Sequence, residues 1–245
     1  MQRLLFPIHL TCLSEVDSTN DFLNRTKSLP KDWTVILTMN QTHGRGTREN
    51  TWQSEKDKNL TFSIALNPQI KAQESFFLNI SVCNSIHKAL YLYHKEIWIK
   101  WPNDIILKHK KICGILIENR IYQQEIFMSI IGVGLNVHQM HFYELSKVSS
   151  LKKLLGKTFN LQHLLITFIY NIQREYCLFK YHGKTFIQNH YLNHLYRKDQ
   201  VSAFQIDGTI YNGIIRGLTE DGRLIVTLEG QLPRAFSHKE IDLLY

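Results

Sequence analysis

The sequence predicts an α+β fold in two parts: a mixed, largely antiparallel sheet with helices, followed by a small β-barrel. A single long helical pattern between Gln73 and His94 is flanked by strand-like runs. From Ile97 to Val133, strand-like runs follow one another without an intervening helix, so neighbouring strands should be antiparallel at least in part. From Gln200 onward the runs become short and are separated by turn signals, which indicates a second, smaller β unit.

Each element is predicted from a local signal. Ser18 and Thr19 are helix-capping residue types, and they begin a short helix that runs to about Lys27. The other elements follow from the period of their apolar residues and from β-rich composition. They are strands at Trp33–Thr38, Leu60–Leu66, Ile97–Trp101, Asp104–Lys108, Lys111–Glu118 and Glu125–Val133, and helices at Gln73–His94, Ser150–Leu155, Leu161–Phe179 and Thr185–His194.

A domain boundary is predicted near residue 196. Residues 1–196 form the larger α+β domain, and residues 197–245 form the barrel. Four turn signals at short intervals support the barrel, since this spacing is typical of small antiparallel units. They are Asp207-Gly208, Asn212-Gly213, Asp221-Gly222 and Glu229-Gly230.

Composition narrows the class of protein without choosing a function. The formal charge of +8 suits nucleic acid, an anionic nucleotide or an acidic protein as a partner. The sequence contains no run of 18 apolar residues, so no membrane-spanning helix is predicted. The four cysteines are far apart and lie in or beside apolar stretches, so we expect small buried side chains in a reducing cytoplasm.

Histidines at 190 and 194 have the spacing of metal ligands on one helical face. No acidic or cysteine partner lies near them in the sequence. We therefore expect surface or half-buried side chains there and no resident metal site.

The most informative segment is the polar loop Gln41–Ser54, which lies between two predicted strands. Its Gly-Arg-Gly core lets the backbone approach a ligand closely and present N–H groups to an anion. Arg45 and Arg48 add forked donors suited to carboxylate or phosphate, and Trp52 offers a face for stacking. A flexible connection with solvated arginines is the alternative, and it would be preferred for an isolated Gly-Arg-Gly.

Three further clusters carry chemistry or ordinary structure. In Lys100–Asp104, Pro102 forces a bend that leaves Asn103 and Asp104 either as ligand-binding groups or as a simple turn. In Lys111–Glu118, a lysine heads an apolar strand and either faces solvent or pairs with an anion. In Ile131–Val137, two glycines indicate close packing against a backbone or a ligand.

Together these motifs resemble those of biotin–protein ligases. The resemblance runs in order from about Glu15 to Val137, and the C-terminal part resembles the SH3-like domain of that family. Each motif is weak alone, but five in order are specific. They are Asp17-Ser-Thr-Asn20, Gln-Thr-x-Gly-Arg-Gly with Trp52-x-Ser54, Lys-Trp-Pro-Asn-Asp, Lys-x-x-Gly-Ile-Leu-x-Glu and Gly-Val-Gly-Leu-Asn-Val.

The resemblance implies a class II synthetase-like catalytic domain that uses ATP, biotin and Mg²⁺, with roles for specific residues. Arg45, Lys111 and Asp104 would be catalytic. The implied biotin-binding residues are Ser18, Thr19, Asn20, Gln41, Gly44, Arg45, Gly46, Lys111 and Gly114. The implied ATP- and adenylate-binding residues are Arg45, Thr47, Arg48, Trp52, Asn103, Lys111 and Asn136. No protein-held metal is implied beyond the Mg²⁺ of ATP.

The implied reaction makes biotinyl-5′-AMP and transfers biotin to a lysine of a biotin carboxyl carrier protein, as in a biotin–[acetyl-CoA-carboxylase] ligase. This chain departs from the family pattern at Thr47 and Glu49, where an arginine and a glycine are common. These departures predict that Arg48 takes over the phosphate contact or that the adenylate is held less tightly. The motifs begin so early in the chain that we expect a monofunctional enzyme without a DNA-binding domain, monomeric or homodimeric.

Two alternatives stay open. A lipoate–protein ligase or octanoyltransferase would share the fold and the transfer of an acyl group to lysine. A nucleic-acid-binding module would explain the charge, but the C-terminal part mixes its basic residues with acids, which makes a dense binding patch improbable.

Overall fold

The computed structural model describes residues 3–47, 50–143 and 145–245. Its centre is an eight-stranded mixed sheet in the order β1-β2-β5-β10-β9-β8-β7, with β6 paired to β10. The pairs are antiparallel except β1 with β2, which confirms the largely antiparallel sheet. The strands of this sheet are β1 (His9–Leu13), β2 (Thr34–Thr38), β5 (Leu60–Leu66), β6 (Ile70–Lys71), β7 (Ile97–Lys100), β8 (Asp104–Leu107), β9 (Lys110–Tyr122) and β10 (Glu125–Leu135).

The sheet is covered by helices on both faces. The helices are α1 (Thr19–Asn24), α2 (Ser75–Tyr91), α3 (Leu151–Leu155) and α4 (Leu161–Asn193). The large apolar core lies where α2 and α4 pack together against the sheet, and it includes Phe62, Ile86 and Phe168. A smaller apolar cluster lies around Leu23 of α1 and Ile36 of β2. Burial of these apolar faces supplies most of the favourable free energy of folding.

Local signals placed the helix ends well. Ser18 caps α1 and accepts a hydrogen bond from the backbone of Asp21, and Ser150 caps α3 in the same way. The two predicted helices at 161–179 and 185–194 correspond to the two parts of α4, which meet at a kink at Gly183. That residue has φ 76° and leaves the helical region, as glycine permits.

Strand β1 was not predicted, because it lacks the pattern of a half-buried strand. It is an edge strand whose first four residues are exposed, so no apolar alternation marks it. Cys12 in this strand is exposed, so the expectation that all four cysteines are buried is wrong at this position. Cys83 and Cys113 are buried as expected.

The C-terminal part is β-rich, as predicted. Its antiparallel ladder runs β14-β13-β12-β11-β15, and its closure into a barrel stays a prediction. The strands are β11 (Val201–Ile206), β12 (Thr209–Leu218), β13 (Leu224–Leu228), β14 (Arg234–Phe236) and β15 (Asp242–Leu244). The Trp101 indole N–H donates to the carbonyl of Gly222 at 2.9 Å, which links this part to the turn after β7. The boundary at 196/197 also stays a prediction.

Within the described ranges, no helix combines the length and the apolar character that crossing a membrane requires.

Candidate active site

A cavity opens where the start of α1, the 41–54 loop and the middle of the sheet meet. The loop contains a short hairpin of β3 (Gly44–Arg45) and β4 (Thr51–Trp52). The cavity is lined by residues from nearly every motif found in the sequence: Ser18, Thr19, Asn20, Gln41, Arg45, Gly46, Thr47, Trp52, Thr61, Asn103, Asp104, Lys111, Gly114, Ile115, Leu116, Gly132, Val133 and Gly134.

One side of the cavity is a buried network of hydroxyl and amide groups. Ser63 of β5 lies with its Oγ 2.6 Å from both Thr19 Oγ1 and Asn20 Oδ1. Because the Asn20 amide oxygen can only accept, Ser63 donates its one hydroxyl proton to Asn20 and accepts from the hydroxyl of Thr19. The backbone N–H of Thr19 donates to Gln41 Oε1 at 3.0 Å, and the Asn20 amide donates to Glu118 at 2.8 Å. The network fixes the start of α1 against the sheet.

Glycines form the floor of the cavity, because any larger residue would collide with the side chains above it. A Cβ on Gly132 would lie 2.4 Å from Asn20 Oδ1, and a Cβ on Gly134 would lie 2.5 Å from the Trp52 ring. Gly134 pairs with Gly114 across β10 and β9, and a Cβ on Gly114 would lie 3.4 Å from Lys111 Nζ. The floor therefore leads from the polar network, past Trp52, to Lys111.

Lys111 and Asp104 form an ion pair at this far side, with Nζ and Oδ1 2.7 Å apart. Both side chains are partly buried, at 29% and 18% exposure, so the pair is less screened by water than a surface pair. Asp104 heads β8 directly after the turn that contains Pro102. Asn103 in the same turn donates its side-chain amide to the carbonyl of Ile115 and is held in place by it.

Arg45 reaches over the start of α1 and pairs with two carboxylates. Its guanidinium donates to Asp21, and also to Glu118 at 3.1 Å. The hydrogen bond to Asp21 and the charge of Glu118 raise the pKa of Arg45 above its usual value. Since Glu118 also accepts from Asn20, the arginine is connected to the polar network.

A second cleft continues from the cavity towards the C-terminal sheet. It shares Thr47, Asn103, Asp104 and Lys111 with the cavity, and Lys100 is a further lining residue. Burial lowers the pKa of the Lys100 ammonium, and the Asp104 carboxylate opposes that shift. Anionic groups that extend out of the cavity would therefore meet two lysines.

The structure brings most of the sequence-predicted site residues together around one cavity. Gly44 lines a neighbouring cleft and not the cavity, and a Cβ on this glycine would come 2.4 Å from Gln41 Nε2. Asn136 lies outside the lining just after β10, where its backbone N–H donates to Ile112. Arg48 lies outside the described residues, so its predicted phosphate contact stays a prediction. The assignment of individual roles to these residues also remains a proposal.

Some polar residues at and beside the cavity were not predicted from the sequence, among them Thr61, Ser63, Asp21 and Glu118. Thr61 and Ser63 are alternate polar residues inside an otherwise apolar strand, and this spacing could have shown that both point to one face. Glu118 closes the Lys-x-x-Gly-Ile-Leu-x-Glu motif. Asp21 gave no signal beyond a favourable place in the first turn of α1.

Unpartnered polar atoms at and beside the cavity point to a polar ligand. Within the described part of the chain, Trp52 Nε1, Thr61 Oγ1 and Asn136 Oδ1 are buried without a hydrogen-bond partner. A buried donor or acceptor without a partner costs about 1–3 kcal/mol. A ligand that supplies partners would recover part of that free energy.

A comparison with models of known protein families agrees with the geometry of the cavity. The model of the biotin/lipoate A/B protein ligase family matches residues 13–136, half of the chain. The matched segment contains all the residues that line the cavity. The chain therefore belongs to this family.

Similar proteins were found among characterised sequences. The bifunctional ligase/repressor BirA of Bacillus subtilis is 28% identical over 217 residues, which are 83% of this chain and 64% of BirA. The biotin–[acetyl-CoA-carboxylase] ligase of Mycobacterium tuberculosis is 29% identical over 137 residues, 53% of this chain and 50% of that protein. The chain thus spans less than two thirds of the length of these relatives.

Solved structures share the fold. The biotin protein ligase of Aquifex aeolicus in complex with biotin and ATP superposes with a TM-score of 0.80 at 24% identity, covering 96% of this chain and 98% of that one. The Leishmania major enzyme in complex with biotinyl-5-AMP superposes with a TM-score of 0.66 at 20% identity, covering 95% and 100%. These likenesses show the α+β architecture together with the C-terminal β-rich part.

Proposed function

We propose that this protein activates biotin with ATP to form biotinyl-5′-AMP and then transfers biotin to a lysine of a carrier domain. The observation that carries the proposal is the polarity of the cavity: hydroxyl and amide groups at one side and the Lys111–Asp104 ion pair at the other. Biotin has the matching polarity, with a ureido ring at one end and a carboxylate at the other.

The polar side of the cavity favours biotin over the other acyl groups of the family. The ureido group offers one acceptor and two N–H donors to Thr19, Asn20 and Gln41. The dithiolane ring of lipoate and the chain of octanoate form no such hydrogen bonds, so the buried Trp52 indole N–H and Thr61 hydroxyl of the cavity would stay without a partner. That mismatch discriminates strongly, since each unpaired group costs about 1–3 kcal/mol.

The first step joins two anions, the biotin carboxylate and the α-phosphate of ATP. Lys111 at the end of the glycine floor supplies positive charge where they meet, and Arg45 supplies forked donors from the loop. Preorganised positive charge stabilises the pentacoordinate phosphate as pyrophosphate leaves. ATP enters as its Mg²⁺ complex, so the ion is part of the nucleotide substrate.

The second step needs a neutral lysine amine next to the mixed anhydride. Asp104 lies at the cavity edge that opens into the second cleft, so its carboxylate can orient the incoming ammonium and accept a proton from it. The amine then attacks the acyl carbon, and AMP is the leaving group. Described residues of the loop, among them Gly46, Thr47 and Trp52, line the cavity and would limit hydrolysis by water.

The proposed acceptor is the carrier domain of a biotin-dependent carboxylase such as acetyl-CoA carboxylase. Among the relatives are biotin–[acetyl-CoA-carboxylase] ligases, which supports this class of acceptor. The formal charge of +8 suits an acidic carrier. A cytoplasmic location remains the expectation from the sequence.

A pyrophosphate-release assay with biotin, lipoate or octanoate as the only acyl substrate tests the activation step. We expect release with biotin alone, abolished by Lys111→Ala. Lys157→Ala is the matched control, since Lys157 is exposed and remote from the cavity lining. Preferential release with lipoate or octanoate would assign the chain to the other branch of the family, and unchanged release by Lys111→Ala would refute the role of that lysine.

A further inference from the structure

Three histidines form a cluster on the helical side of the sheet, away from the cavity. His87 belongs to α2, His190 lies near the end of α4, and His194 is the C-cap residue of α4. One nitrogen of each ring lies within 4.8 Å of the corresponding nitrogens of the other two. His190 and His194 have the sequence spacing of metal ligands on a helix, and the fold adds His87 from more than 100 positions away.

The ring nitrogens are placed as metal ligands would be. His87 Nδ1 and His190 Nε2 are 3.1 Å apart. Two nitrogens in a tetrahedral zinc site, each bound at 2.0–2.1 Å, are separated by about 3.3 Å. The ring centre of His194 lies 4.3 Å from the centres of both other rings. The three rings thus lie close enough together for one metal ion to contact a nitrogen of each.

The opposite nitrogens of two rings are already held by backbone carbonyls. His87 Nε2 lies 3.0 Å from the carbonyl of Ile97, and His194 Nδ1 lies 2.9 Å from the carbonyl of His190. A carbonyl only accepts, so these nitrogens carry the protons and the facing nitrogens keep their lone pairs. Metal-binding histidines are oriented in this way by backbone carbonyls.

Burial favours the neutral form of His87 and His190, which is the form that metal ligation requires. Burial is the main cause that lowers the pKa of both His87 and His190 to about 3. The ammonium of Lys88 also acts in this direction, and it opposes a cation in the cluster. Its charge is balanced by the buried Glu175 carboxylate, 2.7 Å away.

We propose that His87, His190 and His194 form a binding site for a divalent metal ion of intermediate softness, with Zn²⁺ as the expected ion and water as the remaining ligand. Three imidazole nitrogens suit Zn²⁺ and exclude the hard ions Mg²⁺ and Ca²⁺, which prefer oxygen. The ion would tie the end of α4 to α2. The backbone N–H of Ile99 in β7 donates to the carbonyl of His194, so the tie extends to the sheet just before the chain enters its C-terminal part.

The metal-free alternative is a hydrogen bond from His190 Nε2–H to His87 Nδ1. The observed distance of 3.1 Å is close to the distance expected in either arrangement, but only a metal site binds Zn²⁺ measurably. Binding measurements therefore separate the two, and the proposal stands independently of the proposed ligase activity.

The test uses the full chain without a histidine tag, in buffer free of ATP and biotin. Zn²⁺ is titrated in competition with a chromophoric chelator, and bound metal is measured by mass spectrometry after dialysis. The variants are His190→Gln and His194→Gln, which are half-buried and therefore safer for folding than the fully buried His87. His163→Gln is the matched control, because His163 is an exposed histidine of the same helix.

We expect about one Zn²⁺ per chain, and roughly tenfold or greater loss of affinity in each of the two cluster variants but not in the control. Zn²⁺ should also raise the melting temperature of the wild type, and Co²⁺ should give the visible absorption of a tetrahedral nitrogen site. Equal affinity in wild type, His190→Gln and His194→Gln would overturn the proposal, as would the absence of chelator-competitive binding in a wild type shown to be folded by circular dichroism.

Discussion

Removing the Ser63 hydroxyl should disturb the cavity without touching any charged group. Ser63 is fully buried and connects Thr19 with Asn20 at 2.6 Å on each side. Ser63→Ala removes both hydrogen bonds and leaves a buried oxygen of Asn20 without that donor. Such a loss costs about 1–3 kcal/mol, and we expect about 2 kcal/mol in the free energy of unfolding.

The same substitution should weaken biotin binding by roughly tenfold, which corresponds to about 1.4 kcal/mol. The reason is that Thr19 and Asn20 lose the group that fixes their orientation towards the ligand. Isothermal titration with biotin measures the dissociation constant, and urea unfolding measures stability. Ser81→Ala is the matched control: its hydroxyl is equally buried but donates to the Phe77 carbonyl within α2, at 2.9 Å. Biotin affinity equal to wild type in Ser63→Ala would refute the role given to the network.

Three further predictions concern other parts of the molecule. Arg45→Ala should leave biotin binding detectable but slow adenylation by about 10²–10³-fold, because a donor to the developing phosphate charge is lost; wild-type single-turnover rates would exclude this role. Gly222→Ala should lower the unfolding free energy, measured in urea, by more than about 2 kcal/mol, because φ is 86° and the added Cβ would lie 2.1 Å from the Phe76 ring. The control Gly230→Ala should lower it by only about 1 kcal/mol, because Gly230 has φ 71° but open space for a Cβ. Equal losses in the two variants would contradict the packing of Gly222 against Phe76. In metal-free buffer, the free energy of unfolding should fall as pH drops from 6.5 towards 3, because His87 takes up its proton at higher pH in the unfolded chain than in the folded chain. At pH 4.5 the loss due to His87 is on the order of 2 kcal/mol. An unchanged dependence of stability on pH in His87→Gln would refute this role of His87.

Local sequence patterns were sufficient for most elements of the fold. The strand at 60–66 follows from its largely apolar, β-rich residues, and the start of α1 at Thr19 follows from the capping side chain of Ser18. The edge strand β1 could not be predicted in this way, because an exposed edge does not need alternating apolar residues. Its pairing with β2 depends on tertiary structure.

The prediction of the site from the sequence was limited in the same way. Motif order identified the loop and the Lys111 strand, which combine glycine with charged residues, and the start of α1, which is a run of polar residues. Contacts between distant segments were not predictable from one sequence. Ser63 meets Asn20 across 43 positions, and His87 meets His190 across 103. Such pairs are set by the register of the sheet and by the packing of α2 on α4.

The central claim is tested most directly by intact-mass measurement of a biotin carrier domain after incubation with the protein, biotin and Mg·ATP. We expect one added biotinyl group, dependent on ATP and absent when the acceptor lysine of the carrier is replaced by arginine. Lys111→Ala should abolish the mass shift, and Lys157→Ala should preserve it. An unmodified carrier, under conditions in which a known biotin–protein ligase modifies it fully, would contradict the proposed biotin transfer.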